Sequence, residues 1–196
     1  MALTLQHTNI RKMEPLITER LRLAFPEKTF AIERVPQVMT VKEFERLARL
    51  SPFIGIAWVG FRADASSGRL LAGRMLWRLI LIFKASSGLE TRFKGDVKGI
   101  GLDAMGDVAI ALMHGWTLPD TGSASVTGAN SVIADGWSDE AVVIAQVDFE
   151  IQCTAHPGKL DLITPDDFRA LSIDWMVEPD PDAVPVSDTL TLDDAP

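Results

Sequence analysis

Apolar residues recur along this chain in two rhythms, one of helical period and one of period two, and the order in which they alternate predicts the architecture. Ile10, Met13, Ile17, Leu21 and Ala24 fall at helical spacing, with Arg11, Glu14 and Arg22 off that stripe, so Ile10–Phe25 reads as an amphipathic helix. Pro15 suits the first turn of such a helix and Pro26 stops it. Thr29–Val35 follows as a short strand with Phe30 and Ile32 on one face. Thr40-Val-Lys-Glu43 is a capping-box pattern, in which the Thr hydroxyl accepts from the Glu43 amide while the Glu43 side chain reaches back. It predicts a short helix through Phe44, Leu47 and Leu50 that ends at Ser51-Pro52.

From Pro52 the period changes to two. Phe53–Phe61 is apolar on both faces and reads as a central strand covered on both sides. Ser66-Ser67-Gly68 marks a loop within Ala63–Leu70. In Gly73–Ala85, residues Met75, Trp77, Leu79, Leu81 and Phe83 share a fully apolar face, while Arg74, Leu76, Arg78, Ile80, Ile82 and Lys84 share the other. Burying that second face would strand two arginines, so it requires a polar edge or a partner. Ser86–Lys98 is polar and reads as a loop.

Gly99 and Gly101 lead into a helix over Leu102–His114 with a stripe of Leu102, Met105, Ala109 and Leu112. Asp103 and Asp107 sit near its positive end, and its near-continuous apolarity places it between the sheet and a further element. Thr117–Asp139, rich in small and polar residues, is long for a connection and reads as a projecting hairpin or a mobile loop. Alternation returns at Glu140. Ala141, Val143, Ala145, Val147, Phe149 and Ile151 form one face, and Gln146, Asp148, Glu150 and Gln152 the polar end of the other. Were this strand beside Gly73–Ala85, its acids would meet the arginines, each pair contributing a few tenths to about 1 kcal/mol. Thr164-Pro165-Asp166-Asp167 reads as a helix start and Leu171–Val177 as a last short strand.

The pattern gives an α/β fold of the α+β type, with a central, mostly antiparallel sheet flanked by helices. The 196 residues, 47% hydrophobic, suffice for one domain with a sizeable core, assigned to 1–177. The remainder, 178–196, is an acidic, Pro-rich arm. Glu178, Asp180, Asp182, Asp188, Asp193 and Asp194 supply six of the net charge of -8, which leaves the body near neutral. That balance argues against wrapping nucleic acid, whose phosphates require basic residues to displace counterions. The carboxylates read first as a solvated tail, and Val184, Val186, Leu190 and Leu192, at alternating positions, raise the sharper reading of an extended arm that lies on a neighbouring subunit.

Candidate chemistry is sparse. Gly99-Ile-Gly101 with Ala104 matches a loose dinucleotide fingerprint, but a polar stretch precedes it where a βαβ unit needs an apolar strand. No phosphate-binding GxxxxGK[ST] sequence occurs. Cys153 and His156 lie three apart without a third group to orient them, and Pro157-Gly158 puts them at a strand end. His7, His114 and His156 are too scattered for a zinc site. The sequence thus calls for no cofactor, no metal and no catalysis, a small cytoplasmic hydrolase being the enzyme alternative. A single cysteine forbids an internal disulfide and points to a reducing compartment. Met1–Leu16 lacks the apolar stretch of a secretory signal, and the longest apolar run, Met75–Phe83, is broken by Arg78 and far short of a membrane span. Surfaces remain. Arg74 and Arg78, Asp148 and Glu150, Val184 and Val186 of the arm, and Trp137 in its polar Gly-Ser-Asp setting are the candidate contacts with other polypeptides.

Four segments in order carry a family resemblance: ITERLRLAFPEKTFAIERVP, the Pro-led PFIGIAWVGF, LWRLILIFKA followed by GIGLDAMGDVAIALMHGW, and VVIAQVDFEIQC before a polar tail. Over roughly Ile10–Val177 the chain resembles the tail terminator family of Mu-like phages and prophages, long described only as an uncharacterised Mu-like tail protein. The resemblance implies a virion structural protein of the tail or neck, assembled in the host cytoplasm as a homohexameric ring. Such a ring caps the tail tube, ends polymerisation and offers a docking surface to the head–tail connector. In contractile tails it also touches the sheath. The implied partners are therefore the chain itself, the tube protein, the connector and, where present, the sheath, with no membrane and no nucleic-acid sequence recognition. Another neck or tail-completion protein, or a tube-like subunit, is the alternative within assembly. The long Pro/Asp-rich C-terminus has no counterpart in the family pattern.

Overall fold

The computed structural model describes residues 9–65, 71–86, 88–97, 99–119, 121–132, 141–155, 170–175 and 186–191. Helix α1 (Asn9–Arg22) leads to strand β1 (Ala31–Arg34), helix α2 (Val41–Arg49) and strands β2 (Phe53–Ala63) and β3 (Leu71–Lys84). Helices α3 (Leu89–Lys94) and α4 (Gly101–Met113) follow, then β4 (Thr117–Leu118), β5 (Gly122–Val132) and β6 (Val142–Ala155). Strands β7 (Ala170–Trp175) and β8 (Val186–Thr191) come last. Six strands form one sheet in the order β1-β2-β3-β6-β5-β4, in which only the β1–β2 pair is parallel; β7 and β8 form a separate antiparallel pair. The fold is therefore α+β, as the periodicity predicts.

The sheet separates two clusters. On one side, Met75, Trp77, Leu79, Leu81 and Phe83 of β3 and Val147, Phe149 and Ile151 of β6 pack with Met13, Ile17 and Leu21 of α1 and Leu102, Met105, Ala109 and Met113 of α4. On the other, Phe44, Leu47 and Ala48 of α2 cover Phe53, Ala57, Ile80, Ile82 and Ile144. β2 is buried on both faces from Phe53 to Ala57, which explains its unbroken apolar run; beyond Trp58 it emerges, and Phe61 is exposed.

Four expectations are corrected. Pro15 lies inside α1 rather than in its first turn. It is exposed while Met13 and Ile17 on either side of it are fully buried, so packing outweighs the hydrogen bond that its ring forgoes. The polar stretch after Ser86 contains α3, a helix without an apolar stripe, ended by Gly95 at φ 80° and supported by Lys94 bonding Glu90 at 2.8 Å. On α4 the fourth buried position is Met113, with Leu112 only partly covered. Of the two readings of the segment from Thr117, the mobile loop is overturned and the hairpin lies within the sheet instead of projecting: β4 pairs antiparallel with β5, and β5 with β6 from Ala124–Ile151 to Val132–Ile144. Small side chains hid this strand because they show no alternation, and its ladder depends on β6 for a template.

The capping box forms by half. The Thr40 hydroxyl accepts from the Glu43 amide at 3.3 Å, but the Glu43 carboxylate turns to Arg46, which also bonds Glu33 at 2.8 Å. Those bonds hold the Glu43 carboxyl below its ordinary pKa. Arg20 donates to the Leu112 carbonyl at 3.0 Å and Arg22 to the Phe30 carbonyl at 2.8 Å, which fixes α1 to α4 and to the entry of β1.

Candidate subunit interface

The paired strands β3 and β6 are offset so that residue 71 faces 155 and residue 84 faces 142. This register places Arg78 directly opposite Asp148, and Arg74 diagonal to Glu150. The two candidate charge patches therefore lie on one face of one sheet. Arg78 donates from Nε to Oδ1 of Asp148 at 2.6 Å and from Nη2 to Oδ2 at 3.0 Å, and Arg74 pairs with Glu150. The Asp148 hydrogen bonds raise the pKa of the Arg78 guanidinium, against a smaller opposing effect of burial. Further along, the Gln146 amide donates to Asn130 Oδ1 at 3.0 Å, which extends the polar row onto β5. A face whose charges neutralise one another at home does not present two separate patches of opposite sign.

Beside this row lies an apolar groove of about 340 Å³ between the sheet and the segment that enters α2. Val38, Met39, Val41 and Phe44 form one wall, Ile80, Val132 and Ile144 the floor, and Arg78 and Gln146 the polar rim. Val38 is 84% exposed and Val41 63%, so the upper wall has no covering layer among the described residues. On the sheet's other face, Gly106 and Ile110 of α4 and Ala129 and Ser131 of β5 line a second cleft, with Asp103 and Asp107 on its rim. Between the two, Thr127–Ser131 of β5 are all exposed.

Trp137 and Val184 lie outside the described residues. Val186 opens β8, and β7 pairs with β8 across the expected boundary at 177/178, so part of the acidic segment belongs to a two-stranded ribbon. The groove and the β5 edge were missed from sequence, because Val38 and Val41 fall in a segment without periodicity. The one available signal was β6 itself, a strand so regular that it needs a neighbour on both sides.

The chemical candidates are placed as follows. Cys153 is 2% exposed within β6, and burial pushes its thiol above the ordinary range. His156 lies outside the described residues. His114 Nδ1 accepts from the Val126 amide at 3.3 Å and so closes the end of α4 against β5. Among the described residues no group of three His, Cys, Asp or Glu side chains could hold a metal, and no helix is long and apolar enough to cross a membrane. The stretch before Gly99 is helix α3 and a bridge between Asp96 and Gly99, not the strand that a dinucleotide fingerprint needs. No family model and no curated protein matches the sequence.

Proposed function

We propose that the chain is a tail terminator, a non-enzymatic subunit that assembles as a homohexameric ring on the end of a phage or prophage tail tube. Bound there, the ring masks the surface that the next tube ring would occupy, ends polymerisation and offers its outer face to the head–tail connector. In a contractile tail it also meets the top of the sheath. The reading rests on the resemblance over Ile10–Val177. The observation that supports it is the order in which the four resembling segments fold: α1 into β1, β2, β3 ahead of α4, and β6 beside β3 in a mostly antiparallel sheet with helices on both faces.

A ring of identical copies needs two different, mutually complementary patches on each subunit. The half-covered second face of the sheet, with its groove and neutral polar row, is one surface suited to such contact. The test is purified chain mixed with tail tubes and viewed by negative stain, beside mass photometry of the chain alone. Six chains of 21.4 kDa give a ring of about 128 kDa. Six-fold rings seated on tube ends, with tube growth halted, are the expected result. Tubes that continue to elongate in a molar excess of the chain would exclude the role.

A further inference from the structure

The main-chain hydrogen bonds of the large sheet leave two residues open at each of its edges. Ala85 donates to the Ala141 carbonyl at 3.2 Å, so odd-numbered residues of β6 bond β3 and even-numbered ones bond β5. Past the irregularity at Thr127, residues Gly128, Asn130 and Val132 of β5 therefore bond β6, while the N–H and C=O of Ala129 and Ser131 point away from the sheet. Nearer the start of β5 the outward groups are taken: Ala124 bonds Trp116 and Gly115, and the Val126 amide bonds His114. At Ala129 and Ser131 the described residues supply only a 3.5 Å approach of the Asn130 side-chain amide to the Ser131 carbonyl. Thr127–Ser131 carries no charge and no proline to guard this edge. At the other edge, Ala31 and Val35 donate to the Pro52 and Ile56 carbonyls of the β2 side, which turns Ile32 and Arg34 outward. That edge is bounded by Phe30, whose carbonyl accepts from Arg22, and by Pro36, which has no N–H.

We propose that β5 of one copy pairs antiparallel with β1 of the next, Ala129 opposite Arg34 and Ser131 opposite Ile32. This register satisfies every open N–H and C=O of the four residues, whereas a parallel one would set the Ser131 carbonyl against Pro36 or reuse the Phe30 carbonyl. Strand directions agree with it. β1, β2 and β6 run one way and β3 and β5 the other, so an antiparallel join gives each copy the orientation of the last, as a cyclic ring requires. The faces agree as well. Ala129 and Ser131 lie opposite Val147 and Ala145, on the side of the sheet that α1 and α4 cover, and Ile32 packs on that same side of its own copy. Charge chooses the partner strand. Two β5 strands could pair about Asn130, but that would crowd together Asp103 and Asp107 of both copies, which line the cleft beside Ala129 and Ser131. β1 brings Arg34 instead, which rests on the Trp77 ring and forms no ion pair among the described residues. The proposal names the contact within the ring proposed above and rests on that reading for closure, though not for the contact itself.

Disulfide trapping on the full chain at its highest soluble concentration tests the join. Asn130 and Glu33 would face one another at a non-hydrogen-bonded position, where Cα atoms approach to about 4.5 Å, within disulfide reach. Asn130→Cys mixed with Glu33→Cys is expected to give a covalent dimer under mild oxidation. The double variant should give a ladder of oligomers, since β2, β3 and β6 separate the two positions within one copy. Asn130→Cys mixed with Val97→Cys, fully exposed elsewhere, is the control and should give little. Trapping no faster than the control overturns the proposal. So does Asn130→Cys that cross-links to itself as readily as to Glu33→Cys, the mark of a two-fold β5 pair. Ser131→Pro removes an edge N–H that bonds nothing among the described residues, so it should leave the melting temperature unchanged and slow trapping about tenfold. Undiminished trapping by that variant would equally overturn the join. The two readings fail separately. Trapped oligomers that never cap a tube would refute the terminator role and keep the contact, whereas Ser131→Pro rings that cap tubes normally would do the reverse.

Discussion

Arg78 of β3 and Asp148 of β6 face one another across the central strand pair and join through two parallel hydrogen bonds of 2.6 and 3.0 Å. The fork geometry favours arginine, whose planar group matches a carboxylate at two points. Both side chains remain about a quarter to a third exposed, so water and salt screen the pair. A double-mutant cycle with Arg78→Met and Asp148→Asn, read by chemical denaturation, should give a coupling of about 1 kcal/mol that shrinks at high salt. A coupling near zero at low salt would mean that the pair contributes nothing to the fold.

The same pair governs how the face should be probed. Reversing Arg78 alone breaks its internal contact with Asp148, so it cannot report cleanly on a contact with another copy. The exchange Arg78→Glu with Asp148→Arg keeps opposite charges in register, so it should keep stability within about 1 kcal/mol of the parent. If the face meets another copy, mass photometry should nonetheless show weaker self-association. Undiminished ring yield from this exchange would remove the Arg78 side of the sheet from the interface.

Two glycines near α4 should respond oppositely to alanine. Gly101 has φ 76°, and a Cβ there would collide with the Gly95 nitrogen and the Phe93 carbonyl oxygen. Gly101→Ala should cost about 1–3 kcal/mol. Gly106, in the interior of the same helix, has nothing but its chain neighbours and its own helix backbone within 4 Å of where its Cβ would stand. Gly106→Ala should stabilise by about 0.5–1 kcal/mol. Thermal melts of the two variants would test both signs at once.

The contrast between β3 and β5 explains what the sequence could reveal. In β3 the apolar positions alternate because one face must be dry, and burial writes its period into the residues. β5 meets the two-residue β4 only at Gly122 and Ser123 and leaves Thr127–Ser131 exposed, so little of its length is constrained by burial and the ladder with β6 makes it a strand. α3 escaped notice for the same reason, since none of its six side chains is fully buried and only Phe93 among its apolar residues packs against the core. The Arg78–Asp148 pairing was legible only as a condition, because strand adjacency is a long-range property that no local pattern carries. The groove was not legible at all: its walls come from segments up to about a hundred residues apart, joined by topology.

Cys153 should behave as a buried, inert thiol. Burial raises its pKa, so folding disfavours the thiolate. The sign follows from linkage. The stability tied to the protonated thiol is complete below the unfolded thiol's pKa of about 8.5 and is lost as pH rises above it toward the folded value. Unfolding free energy should therefore fall at alkaline pH, and Cys153→Ala, whatever its absolute stability, should flatten that slope. Native-state alkylation should proceed only as fast as the chain opens. Rapid labelling at neutral pH without denaturant would contradict this placement.

Trp77 offers a test of how the core tolerates an unmet polar group. It is 1% exposed, faces Trp58 across the β2–β3 pair, and neither indole N–H has a hydrogen-bond partner among the described residues. The Arg34 guanidinium lies 4.6 Å from the Trp77 ring centroid, and its partial burial there lowers its pKa. An orphaned buried donor costs about 1–3 kcal/mol, whereas the large ring fills space and attracts a cation. Trp77→Phe removes the orphan donor but gives up part of the ring, so the two effects should nearly cancel, leaving a change within about 1.5 kcal/mol. Trp77→Ala empties the site and should cost about 3–5 kcal/mol. Denaturation curves of the two variants separate the contributions. A Phe variant as damaged as the Ala variant would mean that the indole N–H holds a partner in solution, such as a buried water, and that Trp77 is bonded rather than merely packed.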